Sequence, residues 1–154
     1  MLGMKKLMLL LPALALAACA PAATTQGNAA PNLYEATPEQ VYNDVLAVIA
    51  ADPGVPAYSR PFNIFGENMK RIPTGPWIIS NSDRAGGFIT AEAQSTLVTT
   101  FGSDSGQRES HRLSVVVSGS NTPARTQVVI QFTERAAYMA EKINAALAAK
   151  YKKL

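Results

Sequence analysis

The chain carries few side chains that could perform catalytic or metal chemistry. His111 is its sole histidine and Cys19 its sole cysteine, so several histidine or thiolate ligands cannot meet at one metal. A serine triad would need His111, an acid such as Asp83 or Asp104, and a serine. The sequence has no Gly-x-Ser-x-Gly turn to expose such a serine. We interpret His111 as an edge or loop residue among charged neighbours, and we expect no enzyme.

Two other segments invite a ligand-binding interpretation. The loop from Gly102 to Gly106 resembles a phosphate loop in its glycines, yet it lacks the Lys-Ser or Lys-Thr pair that meets phosphate and metal. We interpret it as a turn between strands. The C-terminal residues 150–154 include three lysines, each worth about 1 kcal/mol beside an anionic bilayer. Such a patch could only orient a domain that is held at the membrane by other means. From the residues of the chain we expect no cofactor and no metal.

The most informative chemistry is that of Cys19, which follows a short apolar run. Lys5 and Lys6 give the run a basic start, and the twelve residues 7–18 are apolar apart from the break at Pro12. A helix that crosses a bilayer needs about 20 apolar residues. The run is therefore typical of a cleaved signal peptide, and the Cys19 thiol beside it is a nucleophile that can accept a lipid.

The segment Leu16, Ala17, Ala18 and Cys19 resembles the lipobox of bacterial lipoproteins. The resemblance implies cleavage between Ala18 and Cys19, a diacylglyceryl group on the thiol, and room for a third acyl chain, such as palmitate, on the new amine. Two chains anchor a protein stably. In diderm bacteria an aspartate after the cysteine tends to retain a lipoprotein at the inner membrane; Ala20 implies the periplasmic face of the outer membrane. The alternative is an ordinary secretory peptide with an incidental cysteine.

The rest of the chain has the size and charge of one ordinary domain. Removal of residues 1–18 from 154 leaves 136, within the usual range for a single domain. It also leaves 12 of 14 basic residues against 11 acidic ones, which disfavours nucleic acid as a partner. Residues 20–31 are small and polar, as in a flexible tether. We predict a signal peptide over 1–18, the lipidated cysteine and tether over 19–36, and one domain over 37–154.

Helix signals stand at both ends of this predicted domain. Thr37, Pro38 and Gln40 form a capping-box pattern with proline at the first helical position. They predict a helix that ends at 52–54, where Asp-Pro-Gly follows. A second helix is predicted from Glu134 to about Lys152, with acid at its start and bases at its end, as the helix dipole favours.

Extended segments lie between the two helices. Alternating apolar residues predict one strand pair at 112–118 and 126–133, and another at 77–81 and 87–93 around a turn at 82–86. Residues 96–101 either continue the earlier strand or form their own. Residues 55–76, rich in proline and aromatic side chains, predict a long, partly packed loop with one short strand near 62–65. Long loops of this kind are often functional.

These elements define the expected architecture. The order of helix, strands and helix predicts an α+β fold in which a four- to five-stranded antiparallel sheet carries an N-terminal and a C-terminal helix on one face. Leu113, Val115 and Val117 alternate with mostly polar residues, so the other face should be wet.

A second resemblance concerns the hairpin from Trp77 through Asp83 and Arg84 to Gly87 and Ala91. It is similar to a hairpin of small envelope lipoproteins, including accessory lipoproteins of the outer-membrane barrel-assembly machinery, which are noncatalytic scaffolds. The resemblance covers about a third of the mature chain. It implies a noncatalytic accessory domain and a turn role for Asp83 and Arg84, since an aspartate can accept hydrogen bonds within its own turn.

Two functions fit the sequence. The first is a membrane-anchored envelope lipoprotein whose noncatalytic domain serves as a scaffold or binds an envelope protein through the exposed sheet face or the proline-rich loop. The alternative is a helix-grip-like pocket under the last helix that binds or carries an apolar or amphiphilic small ligand. A pocket needs some hundreds of Å³, whereas the many alanines of the last helix favour close packing. The sequence therefore favours the first function.

Overall fold

The computed structural model describes residues 26–61, 68–99 and 102–154. The lipobox with Cys19, the signal peptide, the start of the tether and the short strand predicted near 62–65 lie outside these ranges. The elements in chain order are β1 (Gln26–Asn28), β2 (Asn32–Tyr34), α1 (Pro38–Ala50), β3 (Tyr58–Pro61), β4 (Asn68–Pro73), β5 (Ile78–Asp83), β6 (Phe88–Val98), β7 (Asp104–Asn121), β8 (Ala124–Thr133), a 3₁₀ turn (Glu134–Ala136) and α2 (Ala137–Lys150).

The strands form one curled antiparallel sheet, in the order β1-β8-β7-β6-β4-β3. The short β2 shares the outer edge of β8 with β1, and β5 shares an edge of β6 with β4. The mixed fold with an antiparallel sheet and two helices is confirmed. The prediction of four to five strands is wrong, because the described residues form eight strands.

The additional strands lie where the sequence has no alternating pattern. β1 and β2 have three residues each and fall inside the predicted tether, so the structured region begins by Gln26 rather than at 37. β3 and β4 lie in the proline-rich segment predicted as a loop. Pro61 and Pro73 stand at the ends of these strands, where a missing N–H costs the ladder least. The sequence pattern therefore does not predict these strands, because they form through pairing with neighbouring strands.

The helices also differ in placement from the prediction. α1 lies against β5, β7 and β8, whereas α2 packs on α1, β8 and the short β2, which precedes α1 in the chain. Both helices thus contact β8 and each other, but only α1 extends over β5 and β7. A 3₁₀ turn at 134–136 precedes α2, which begins three residues later than predicted and ends at Lys150.

The predicted start of α1 is confirmed in detail. Gln40 N donates to Thr37 Oγ1 at 3.4 Å, and Thr37 N donates to Gln40 Oε1 at 3.2 Å. This reciprocal pair satisfies two donors at the helix start. The apolar stripes of both helices are fully buried against the sheet, as expected of close packing. Their buried side chains are Val41, Val45, Ile49, Met139, Ala140, Ile143 and Leu147.

A buried polar network ties the end of α1 to α2 and to β5. Asp52, only 4% exposed, accepts hydrogen bonds from Gly54 N at 2.9 Å and from Lys142 Nζ at 2.7 Å. The Tyr138 hydroxyl lies 2.9 Å from Asp52 Oδ1 and accepts a hydrogen bond from Trp77 Nε1 at 2.6 Å. Burial alone would raise the pKa of Asp52, but these hydrogen bonds outweigh it and lower that pKa.

Candidate functional site

His111 lies in the middle of β7, opposite Ala93 of β6, and is 1% exposed. The prediction of an edge or loop histidine is therefore wrong. Residues 104–110 are polar, so no alternating apolar pattern marked this half of β7 as a strand. The imidazole Nε2 lies 2.8 Å from Ser95 Oγ on the neighbouring strand. This hydrogen bond satisfies both groups within the sheet.

The residues of the hypothetical triad do not come together. Ser95 is 3% exposed and lies beside the buried His111, so a substrate cannot reach its hydroxyl. Asp104 is opposite Val98 and accepts a hydrogen bond from Thr96 Oγ1 at 2.6 Å. Val98 lies five residues along β6 from Ala93, the residue opposite His111, which corresponds to about 16 Å at the rise of an extended chain. Asp83 is the last residue of β5 and lies at the turn between β5 and β6, opposite Phe88. The hydroxyl and imidazole thus form a structural pair.

The predicted turn role of Asp83 is confirmed, whereas the turn predicted over Gly102 to Gly106 is wrong in extent, because Asp104, Ser105 and Gly106 belong to β7. Asp83 Oδ1 accepts hydrogen bonds from Ala85 N at 3.0 Å and Gly86 N at 3.1 Å. Gly87 follows with φ +66°, a conformation that side chains rarely adopt. The turn after β6 is shorter, with Gly102 N donating to Thr99 O at 2.9 Å. At the start of β7, Gly106 N donates to Asp104 Oδ1 at 2.9 Å.

Two of the C-terminal lysines have acidic partners. Lys150 Nζ lies 2.7 Å from Asp44 Oδ1 on α1, and Lys152 Nζ lies 3.2 Å from Glu35 Oε2. Each pair offsets a positive charge that a bilayer would otherwise meet. The C-terminal segment therefore joins the last helix to the rest of the domain more than it adds a basic patch.

An open groove lies on the same face of the sheet as His111, beside the 3₁₀ turn. We name it the Arg71 groove. Its volume is about 410 Å³, near the lower end of the range for small-ligand sites. The wall residues come from β3, β4, β6, β7 and the 3₁₀ turn: Tyr58, Met69, Arg71, Leu97, Gln107, Glu109, Glu134 and Arg135.

The register of the sheet explains why these side chains meet. Arg71 pairs with both Tyr58 and Leu97, so the three side chains lie on one face. Glu109 is opposite Ser95, two residues from Leu97 along β6, and therefore faces the same way. Arg135 then approaches from the 3₁₀ turn. Sequence reasoning suggested the proline-rich segment 55–76 for binding but singled out none of the groove residues as ligand-binding, because none belongs to a short motif.

Arg71 is the most unusual residue of the groove. Its Nε lies 2.9 Å from Glu109 Oε2 in an ion pair, and 18% of its side chain is exposed. Its Nη1 is buried and has no hydrogen-bond partner within the described part of the chain. Buried donors are nearly always paired, and leaving one unpaired costs about 1 to 3 kcal/mol. The groove thus holds a cationic donor that lacks an acceptor.

Arg135 contributes a second guanidinium. Its central carbon lies 3.2 Å from the centroid of the Tyr58 ring, so the cation is stacked on the aromatic face. Within the described ranges no carboxylate forms an ion pair with it. The stack holds the guanidinium beside the groove. Because the N–H groups lie in the plane of the guanidinium, they do not point at the stacked ring and are available to a ligand.

Both arginines also affect His111. Burial lowers the pKa of His111, the nearby Glu109 raises it, and Arg135 and Arg71 lower it further. The net direction is downward, so the imidazole is neutral at physiological pH. The wall of the groove therefore carries two arginines and two glutamates, Glu109 and Glu134, while the nearby imidazole is buried and neutral.

The depressed pKa of His111 predicts a pH effect on stability. Between about pH 7 and about pH 5 an unfolded histidine gains a proton near pH 6.5, whereas folded His111 resists protonation. Protons therefore favour the unfolded state, and the folded state should lose stability as the pH falls through this window. We expect His111→Asn to remove this part of the slope in urea unfolding. Equal slopes in the two proteins would contradict the prediction.

Comparison with known proteins does not assign the chain to a family. No family model matches it, and no curated protein matches it. It is similar to a protein from Arthrobacter aurescens solved by solution NMR, at 15% sequence identity and a TM-score of 0.41, with 82% of this chain and 87% of that chain covered.

Neither helix of the described ranges has the length and hydropathy needed to cross a bilayer. Nor do the described residues group three or more His, Cys, Asp or Glu side chains as a metal site requires. The Arg71 groove is one of several open grooves among the described residues, and two arginines, two glutamates and apolar side chains line it. Its residues can hold a ligand by charge and apolar contact.

Proposed function

We propose that the protein is an exported lipoprotein of the cell envelope, attached to the membrane by lipid on Cys19, whose noncatalytic domain binds a partner in the Arg71 groove. In a diderm host the domain faces the periplasm from the outer membrane. The observation that supports binding is the buried Arg71 Nη1, a cationic donor without an acceptor in the wall of an open groove. The buried Ser95 and His111 support a noncatalytic role.

A protein of the envelope is the first candidate partner. β3 is the last strand of the sheet and pairs only with β4 among the described strands. Its other edge presents backbone groups that can pair with a strand of a partner. The groove beside this edge would then receive a partner side chain. This proposal places the interaction in the proline-rich segment that the sequence suggested.

Site-specific photo-crosslinking in cells tests the proposal. A photoreactive residue at Gln107, exposed in the groove, should yield a discrete covalent adduct with an envelope protein. The matched control is Ser80, an exposed position on β5, where we expect no such adduct. Adducts of equal yield at both positions, or none at either, would contradict a protein partner in the groove.

A small amphiphilic ligand is the second candidate. The groove combines two guanidinium groups with Met69, Leu97 and the ring of Tyr58, a mixture suited to a molecule with one polar end. Its position differs from the cleft under the last helix suggested by the sequence. There the apolar residues of α2, such as Ile143 and Leu147, are fully buried against the core, so close packing fills that region.

A further inference from the structure

We propose that the Arg71 groove binds a monoanionic amphiphile, with the carboxylate held by Arg71 and Arg135 and the apolar body lying on Met69 and Leu97. This inference rests on the second candidate function, ligand binding in the groove. It does not depend on the lipid at Cys19 or on a strand added to β3.

The two guanidinium groups determine the head group. Arginine presents five N–H donors in a planar fork that matches a carboxylate. Glu109 occupies only the Nε of Arg71 at 2.9 Å, and Nη1 has no acceptor among the described residues. Nη1 itself is buried, so a ligand meets this guanidinium through the exposed 18% of the side chain. A carboxylate is the group that matches the donors of the arginine fork.

The charged residues of the wall favour a ligand with a single negative charge. Arg71 and Arg135 are matched by Glu109 and Glu134 in the same wall, so the groove is neutral as a whole. A phosphate or a dicarboxylate would meet repulsion from the two glutamates, and a bulky cation would meet the arginines first. A monoanion is repelled least by the glutamates, because its single charge can lie against the guanidinium groups at one end of the groove.

The rest of the wall determines the body of the ligand. Met69 and Leu97 come from adjacent strands, and the Tyr58 ring beside them carries the stacked Arg135. A methionine is flexible and adapts to ligands of different shape. About 410 Å³ suits a ligand at the small end of the usual range. An aliphatic chain of moderate length is therefore the apolar part that fits this wall.

Titration with octanoate followed by NMR tests the inference. The mature full-length chain carrying Cys19→Ser is used, so that no lipid or detergent competes. We expect saturable binding, shifts of the Arg71 and Arg135 Nε–H signals, and about tenfold weaker binding of 1-octanol, which lacks the charge. Octylamine should bind no better than octanol. No saturation with octanoate, or equal affinity for octanol, would overturn the inference.

Two arginine variants complete the test. Arg135→Gln should weaken octanoate binding by about tenfold while its backbone spectrum shows an intact fold. The matched control is Arg112→Gln, which removes an exposed guanidinium that pairs with Glu92 at 3.1 Å and takes no part in the groove. Equal affinities of these two variants would overturn the inference. Failure with octanoate while Gln107 still crosslinks to a protein would leave the proposed function intact; loss of both would defeat it.

Discussion

We expect Cys19→Ser to release the domain from membranes into the soluble envelope fraction. A thioether-linked diacylglyceryl group cannot form on serine, and no helix within the described ranges could replace it as an anchor. Two or more acyl chains hold a protein stably, whereas one chain binds only marginally. The wild-type protein should therefore sediment almost completely with membranes, and the variant should remain almost completely in the supernatant.

Fractionation with mass spectrometry measures this effect. The wild-type protein should begin at Cys19 and carry the mass of its acyl chains. Ala20→Ser is the matched control, because it changes the neighbouring residue and keeps the thiol; it should remain in the membrane fraction. If Cys19→Ser stayed with membranes after the apolar segment had been removed, the lipid anchor would be refuted.

The second large effect is expected from Asp52→Ala, which should lower the free energy of unfolding by about 3 kcal/mol. The substitution leaves Gly54 N–H without its acceptor in a buried site, and the Tyr138 hydroxyl keeps only the Gly54 carbonyl oxygen, at 2.9 Å, as its acceptor. Lys142 loses its carboxylate at 2.7 Å but is 47% exposed and regains water, so the loss stays below that of a fully buried pair. Urea unfolding monitored by Trp77 fluorescence measures the change.

A matched variant and the pH dependence sharpen this test. Asp44→Ala also removes an acid that links the helices, but the Asp44 side chain is 25% exposed against 4% for Asp52, so we expect a smaller loss. The lowered pKa of Asp52 means that its contribution is complete above the unfolded value of about 3.9. It is lost as the pH falls through the lower folded value. Equal stability of Asp52→Ala and the wild type would contradict the role of the network.

Elements with strong local signals were predictable from the sequence. The capping box at Thr37 and Gln40 is a short-range pattern, and it placed α1 correctly. The alternation of Leu113, Val115 and Val117 placed the core of β7, because every second side chain of a half-buried strand meets the same environment. Turn chemistry at Asp83 was equally local.

The remaining structure depends on pairing that no local pattern encodes. β1 to β4 are short and polar or proline-containing, so they are stabilised mainly by the strands beside them. His111 lies in a polar stretch yet is buried, since β6 supplies Ser95 as its partner. Arg71 reaches Glu109 only because β4 and β7 flank β6. The groove could not be predicted, because its chemistry arises from register across distant segments.

The central claim is that a lipid-anchored domain binds noncatalytically through the Arg71 groove. A pull-down from detergent-solubilised envelopes, with co-eluting proteins and lipids identified by mass spectrometry, tests it most directly. The intact protein is compared with Cys19→Ser, with Arg135→Gln and with the control Arg112→Gln. We predict a stoichiometric protein or a specific amphiphile that is lost with Arg135→Gln and kept with Arg112→Gln. Recovery of the same material with all four proteins, or of none with the intact protein, would contradict the claim.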